Sequence, residues 1–337
     1  MNQTTNPTQE RNNVQKREIR SDTFMKRMLR RREPMLLVFL IIAAMALHFG
    51  TGGWFLTVKN LVALMDSKVP EILVAIGVTF LLITKDFDLS VASVMALSGM
   101  VCAWFIAAGW NVILSMLLGL IAGLLIGTLN GFLVTKLNMA SFIATLGTMY
   151  IGRSLTQVIS QGKPIGNMPD SFISFGTFHI GVFPWYFFLL VVVVVALQLL
   201  IKRQRSMLKL YYIGTNERAA QMVGIKSKKQ RWIMFIVSSL FAAIAGLILT
   251  AKARSASPIA FDKMEMDFIA ASVIGGASIN GGQGSVIGAV LGYLIVIMIS
   301  NAMTLLGISP YWEGVIFGGV LAIAAIADAI SQNRKSA

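Results

Sequence analysis

Of the 337 residues, 56% are hydrophobic and 13% charged, with a mean hydropathy of +0.73; a water-soluble domain needs about twice that charged share to cover its surface, so a soluble enzyme or binding domain is excluded. The net charge of +14 does not describe a nucleic-acid-binding protein, because the basic residues gather at the N-terminus and in one central stretch rather than along a groove. Apolar runs of about twenty residues recur, each long enough to cross a hydrocarbon core about 30 Å thick, and the alternating segments of a membrane β-barrel are absent.

The first thirty-three residues are polar, with nine basic and four acidic groups, and are expected to be disordered as far as Asp22. This leader is too long for a signal-peptide n-region, so the apolar stretch that follows, with Ala44-Met45-Ala46 in it, reads as an uncleaved first helix. Ten membrane segments follow in order: Pro34–Phe49, Val69–Thr84, Leu89–Ala107, Asn111–Val134, Ala140–Ser160, Trp185–Ile201, Trp232–Ala251, Asp267–Ile279, Ser285–Leu306 and Tyr311–Ile330. The second and eighth are short for a full crossing and read as tilted, partly re-entrant or sheltered by neighbours. The fold class is all-α, a polytopic membrane helix bundle. It has a cytoplasmic N-terminal tail (1–33), a transmembrane domain (34–330) with a polar loop inside it (202–231), and a short C-terminal tail (331–337).

Ten crossings put both termini on one side. With that side cytoplasmic, nine basic residues fall in the tail, nine in 202–231, one each at Lys85 and Lys136, and two at Arg334 and Lys335; only seven lie elsewhere. The positive-inside rule therefore places both termini and the 202–231 loop in the cytoplasm. Two outward connections, Gln161–Pro184 and Arg254–Met264, are long enough to be docking features or plain loops.

The fourth segment spaces Gly119, Gly123, Gly127 and Gly131 four apart, and the ninth repeats the device with Gly284, Gly288 and Gly292. Residues four apart share a helix face, so each ladder predicts close helix packing inside a bundle rather than contact with solute. If segments two to five and seven to ten are two halves, the ladders correspond, and an offset of five segments inverts one half relative to the other. Charged groups in or beside the segments are Glu71, Asp86, Asp88, Arg153, Asp267, Glu313 and Asp328; those near segment ends, Glu71, Glu313 and Asp328 among them, can reach water by snorkelling. Asp88, followed by Leu89-Ser90, fits a helix N-cap, with solute contact as the other reading. Arg153, with Thr145 nearby, marks a water-lined path or a buried ion pair.

No phosphate loop, nucleophile elbow, or Cys/His metal spacing is present, and no regular series of membrane acids suggests a proton or sodium relay. The single Cys102 permits no internal disulfide. A chain that pumps with this inventory takes its energy from another protein. The rival readings are a self-sufficient secondary transporter with inverted repeats, which leaves the 202–231 loop without a purpose, and a membrane-embedded enzyme, which lacks a catalytic constellation.

Four blocks in order then carry a resemblance: Asp88-Leu-Ser-Val91, Ser141-Phe-Ile-Ala-Thr-Leu-Gly147, Gly214-Thr-Asn-Glu-Arg-Ala-Ala-Gln-Met-Val-Gly-Ile225, and the run Phe268-Ile-Ala-Ala-Ser-Val-Ile-Gly-Gly-Ala-Ser-Ile-Asn-Gly-Gly-Gln-Gly-Ser-Val-Ile-Gly288. From about Pro34 to Asp328 the chain resembles the permease subunit of bacterial ATP-binding-cassette importers of the ribose and simple-sugar type. It departs from that family at Lys85, Asp86, Phe87 and Ala92, where glycines are usual nearby, and at Asn138-Met139-Ala140, where a proline is common. The resemblance implies a bacterial inner-membrane permease without an enzymatic site, paired with a second copy or a related permease. A periplasmic binding protein would deliver a monosaccharide, and separate ATPase subunits would hold ATP and Mg. It makes Gly214–Ile225 the coupling helix: Gly214, Ala219, Ala220 and Gly224 small enough for close contact, Asn216 the cap, Glu217 and Arg218 pairing across the interface, and Ile225 closing the block. Asp88, Ser90, Thr145, Arg153 and Asp267 are the candidates for the path or its gates.

Overall fold

The computed structural model describes residues 32–309, 311–320, 322–323 and 326. The predicted tail as far as residue 31, Asp328 and the C-terminal tail 331–337 lie outside the described residues. Within them the apolar runs form helices, the one way a single segment satisfies all its backbone polar groups in lipid. In chain order they are α1 (Arg32–Gly50), α2 (Val58–Ile83), α3 (Val91–Ala107), α4 (Val112–Thr135), α5 (Ser141–Ser160), α6 (Asp170–Thr177), α7 (Trp185–Arg203), α8 (Arg205–Thr215), α9 (Glu217–Met222), α10 (Ser227–Ala253), α11 (Met264–Ile274) and α12 (Val286–Leu305). Residues 312–320 are also helical. By length and composition α1, α4, α10 and α12 are each long and apolar enough to cross a membrane, and α3 and α7 are shorter apolar helices.

Two expectations about length change. The second segment is not short: α2 has 26 residues, starting eleven before the predicted boundary, at Val58, and running through Pro70. The sequence obscures it because Lys59, Asp66, Lys68 and Glu71 interrupt the apolar pattern of its first half. The eighth segment is shorter than expected as a helix: α11 has 11 residues, about 16 Å at 1.5 Å per residue, and an irregular stretch, 275–285, completes it. That stretch is sheltered by protein, since Gly282 N donates to Ile83 O at 2.9 Å and Tyr211 Oη donates to Gly284 O at 2.9 Å. Irregular backbone at membrane depth is tolerated where protein covers it. The Gln161–Pro184 connection is more than a loop: it holds α6 and a two-residue antiparallel pair, β1 (His179–Ile180) with β2 (Phe183–Pro184).

The centre of the bundle is α2 and α10. From Val69 to Ile83 every residue of α2 is buried, because α10, α11, α12 and α7 pack around it, as a helix apolar on all faces requires. Helix α10 lies against α2, α3, α4 and α6. Small residues let these backbones meet: a Cβ on Gly246 would stand 2.2 Å from Met95 O, and one on Gly77 2.9 Å from Ser238 Cα. The ladder on α4 faces the same way, Gly123 toward Ala243 and Gly127 toward Ser239 and Phe235 O, with Gly119 against Ser98 O and Gly131 under the Trp232 indole. On α12, Gly288 meets Gly275 O and Gly292 meets Ala271 O. Gly284 is not part of that ladder: it precedes the Ser285 N-cap, at φ +151°. At the periphery, α1 carries exposed Ile41 and Ile42, and α4 exposed Leu125; lipid is the solvent for these faces.

Candidate functional site

The polar segment between α7 and α10 is built from helix stop signals. Asn216 leaves helical geometry at φ −156°, ψ 98°, and its Oδ1 accepts from Ala219 N at 3.0 Å, capping the six-residue α9. At the other end Gly224 takes φ +81°, so that Gly224 N donates to Gln221 O and Ile225 N to Ala220 O, both at 3.0 Å. This paired closure needs a left-handed residue, for which glycine carries no Cβ penalty. Gly224 is therefore a backbone device: nothing among the described residues lies within 4 Å of where its Cβ would be.

The two faces of this segment differ. Gly214 and Ala220 are buried, turned into the protein rather than toward a partner; a Cβ on Gly214 would stand 1.8 Å from Ile83 O and 2.4 Å from Gly282 N. The outer face presents Arg218 and Ala219, both exposed, together with Met222 at 88% and Val223 at 76% exposure. Those two apolar side chains were not singled out in the sequence, where an ordinary Met-Val pair carries no signal until the helix direction is known.

Glu217 is engaged inside the chain. It accepts from Gln221 Nε2 at 3.3 Å and from Arg231 Nη1 at 3.2 and 3.4 Å. The same guanidinium grips Asp86 with Nε and Nη2 at 2.8 and 2.6 Å. Asp86 is fully buried, and Thr84 Oγ1 donates to it at 3.1 Å.

Asp86 belongs to the link 84–90 between α2 and α3, which carries two of the sequence candidates, Asp88 and Ser90. Asp88 is not the N-cap of α3. That position is Ser90, which makes no side-chain capping bond, and Asp88 Oδ1 accepts from Ser90 N at 2.9 Å and Ser90 Oγ at 2.6 Å. From Ser90 a buried chain continues: Asn130 Nδ2 donates to Ser90 Oγ at 2.8 Å, and Thr148 Oγ1 to Asn130 Oδ1 at 2.6 Å. Asp88 Oδ2 is buried without a hydrogen bond among the described residues. Phe87 is pinned to α5 by both its backbone groups, its N donating to Ser141 Oγ at 3.1 Å and its O accepting from Thr145 Oγ1 at 3.3 Å.

The far end of α5 holds the opposite link in the same manner. Arg153 donates to the carbonyls of Ala260 and, at 2.6 Å, Phe261, and Thr156 Oγ1 to that of Pro258 at 3.2 Å. Arg153 thus ties the Arg254–Met264 connection to α5. Asp267, half-buried on α11, belongs to another group, within electrostatic reach of Lys68, Glu71, Glu265 and Glu313. There Glu71 is no snorkelling surface group: it is buried, accepts from Lys68 Nζ at 3.0 Å and bonds Tyr293 Oη. Glu313 bonds Ser300. The structure therefore joins Asp88, Ser90 and Thr145 in one network and leaves Arg153 and Asp267 outside it. Asp86, Asn130 and Arg231, the groups that complete that network and its connection to α9, were not among the sequence candidates. No group of three or more metal-ligating side chains occurs among the described residues.

Comparison with known proteins supplies the family. Residues 60–325 match the family described as branched-chain amino acid transport system / permease component. The chain is 38% identical over 277 residues to the ribose import permease protein RbsC of Bacillus subtilis, covering 81% of this chain and 86% of that one. It is 36% identical over 303 residues to the L-arabinose transport system permease protein AraH of Escherichia coli, 89% and 91% of the two chains. To a probable ABC transporter permease protein, y4mJ, of Sinorhizobium fredii it is 35% identical over 280 residues, 82% and 84%. No solved structure matches. A helix bundle with lipid-facing flanks, matched over most of its length by such relatives, belongs to the permease components of ATP-binding-cassette importers, multi-pass membrane subunits that are not themselves enzymes.

Proposed function

We propose that the chain translocates a monosaccharide or similar small polar solute across the inner membrane. A periplasmic binding protein delivers the solute, and ATPase subunits that hold ATP and Mg dock on α9. The observation that carries the docking reading is the pair Met222 and Val223, exposed at 88% and 76% at the C-terminal end of α9 within a strongly basic segment. Apolar side chains presented in charged surroundings fit the buried core of a protein interface. The sugar class rests on the ribose and arabinose permeases among the relatives.

The same reading includes ten crossing segments in two inverted halves, both termini cytoplasmic, and a second copy or related permease beside this one. Helix pairing supports the inversion. If α2 corresponds to α10, α3 to α11 and α4 to α12, then the contact of α4 with α10 corresponds to that of α12 with α2, and α3–α10 to α11–α2; all four pairs occur. Both ladder helices also run antiparallel to their partner. Gly123 meets Ala243 and Gly131 meets Trp232, while Asn301 pairs with Asn60 and Tyr293 with Glu71.

The test is the double variant Met222→Asp/Val223→Asp, expressed with the ATPase subunits. The expected result is loss of ATPase co-purification and of ribose or arabinose uptake, with membrane insertion unchanged. Normal co-purification and uptake would refute the docking reading.

A further inference from the structure

One guanidinium touches both the docking helix and the inner link. Arg231, at the start of α10, meets Asp86 along one edge and Glu217 along another. The two contacts are unequal. Toward Asp86 it is bidentate at 2.6 and 2.8 Å on a carboxylate with no exposure, whereas toward Glu217 it is 3.2 Å to a carboxylate 36% exposed. A short, forked, buried pair is the stronger and the less screened by salt, while a longer, half-exposed one is held weakly. Displacement of α9 therefore breaks or remakes the Glu217 contact first and leaves Asp86 gripped.

We infer that Arg231 is the positioning residue that carries the state of α9 to the inner link 84–90, its bond to Glu217 opening and closing through the transport cycle while its bond to Asp86 persists. Downstream contacts give the motion somewhere to go. The residue after Asp86, Phe87, is pinned to Ser141 and Thr145 of α5, and Asp88 is bonded to Ser90, itself bonded to Asn130 of α4. A change in the pull on Asp86 thus reaches α3, α4 and α5 together. Lysine at position 231 supplies the charge but not the planar fork, so it holds one carboxylate at a time. The inference rests on α9 being the ATPase contact.

The experiment uses the full chain with its ATPase subunits in lipid vesicles, in a Cys102→Ser background with Lys85→Cys as the reporter, Lys85 being exposed in the link. Maleimide labelling of that cysteine is timed without nucleotide and with ATP plus vanadate. The expected result is a labelling rate that changes with nucleotide when Arg231 is present, shrinks with Arg231→Lys, and is lost with Arg231→Met while the ATPase still co-purifies. Because Arg231→Met alone leaves a buried carboxylate unpaired, the pair Asp86→Asn/Arg231→Met is measured as well and should also lose the change. Persistence of the nucleotide-dependent change in that pair overturns the inference, as does loss of the ATPase, which would make Arg231 a docking residue. A permease with native Arg231 that binds the ATPase yet shows no change at the reporter also overturns it, leaving the docking reading intact. Failure of that permease to bind any ATPase would instead overturn the docking reading beneath it.

Discussion

Gly292 offers the sharpest test of how tightly the second half of the bundle is packed. Alanine there would place a Cβ 2.0 Å from Ala271 O and 2.7 Å from Gly275 N. Both obstacles are backbone, so no side chain can rotate away, and restoring ordinary contact at about 3.4 Å requires α12 to withdraw from α11 by more than 1 Å. Overpacking of this kind costs about 1–3 kcal/mol, against a gain of roughly 0.5–1 kcal/mol for replacing glycine within a helix. With the obstruction in backbone the net is near the upper end, about 2 kcal/mol, or about 3 °C in the unfolding midpoint for an unfolding entropy of roughly 0.7 kcal/mol/K at this chain length. Cys102 makes the assay local: it is the one cysteine of the chain and fully buried on α3, so a thiol-reactive dye reports only unfolding that opens the bundle. Gly147→Ala is the control, since nothing among the described residues lies within 4 Å of that site on α5; its midpoint should hold or rise slightly. Equal midpoints for Gly292→Ala and the unsubstituted protein, or an equal fall in Gly147→Ala, would refute the packing argument.

Arg153→Ala removes two charge-assisted bonds to carbonyls, each worth about 1.5–3 kcal/mol; hydrogen exchange at 254–263 should quicken, and unchanged protection there would show that Arg153 does not hold this connection. For topology, single cysteines at Met222 and Gln161, both exposed, in the Cys102→Ser background should react with an impermeant maleimide from opposite sides of the membrane. Reaction from one side would contradict the orientation set by the basic residues.

The class of fold was legible because lipid imposes so few solutions: twenty apolar residues per crossing, small residues where helices touch, and basic residues inside. The ladders at Gly119–Gly131 and Gly288–Gly292 needed no partner to be recognised, since four-residue spacing is a property of one helix. Gly246 escaped notice although a Cβ there would stand 2.2 Å from Met95 O, because a lone glycine has no period. Helix α2 was half hidden for the same kind of reason: Lys68 and Glu71 look like a boundary until Tyr293, 222 residues away, is seen to bond Glu71.

The functional network was less legible, and the obstacle was distance along the chain. Asp86 and Arg231 are 145 residues apart, and each alone has an ordinary local explanation, a turn acid and an inner-loop base. Only folding brings α10 beside the link, and only then does Glu217 meet Arg231. The same fold removes Gly214 and Ala220 from the outer face and leaves Met222 and Val223 on it. Local rules identify the cap Asn216, because a cap is a contract between residues three or four apart, but take Gly224 for a close-contact residue when it supplies the left-handed turn that closes α9. Which face those caps present depends on what lies beneath. Ile83 and Gly282 decide that by closing on Gly214, and so it is the irregular stretch completing α11, at the far end of the sequence, that sets which side of α9 a partner can reach.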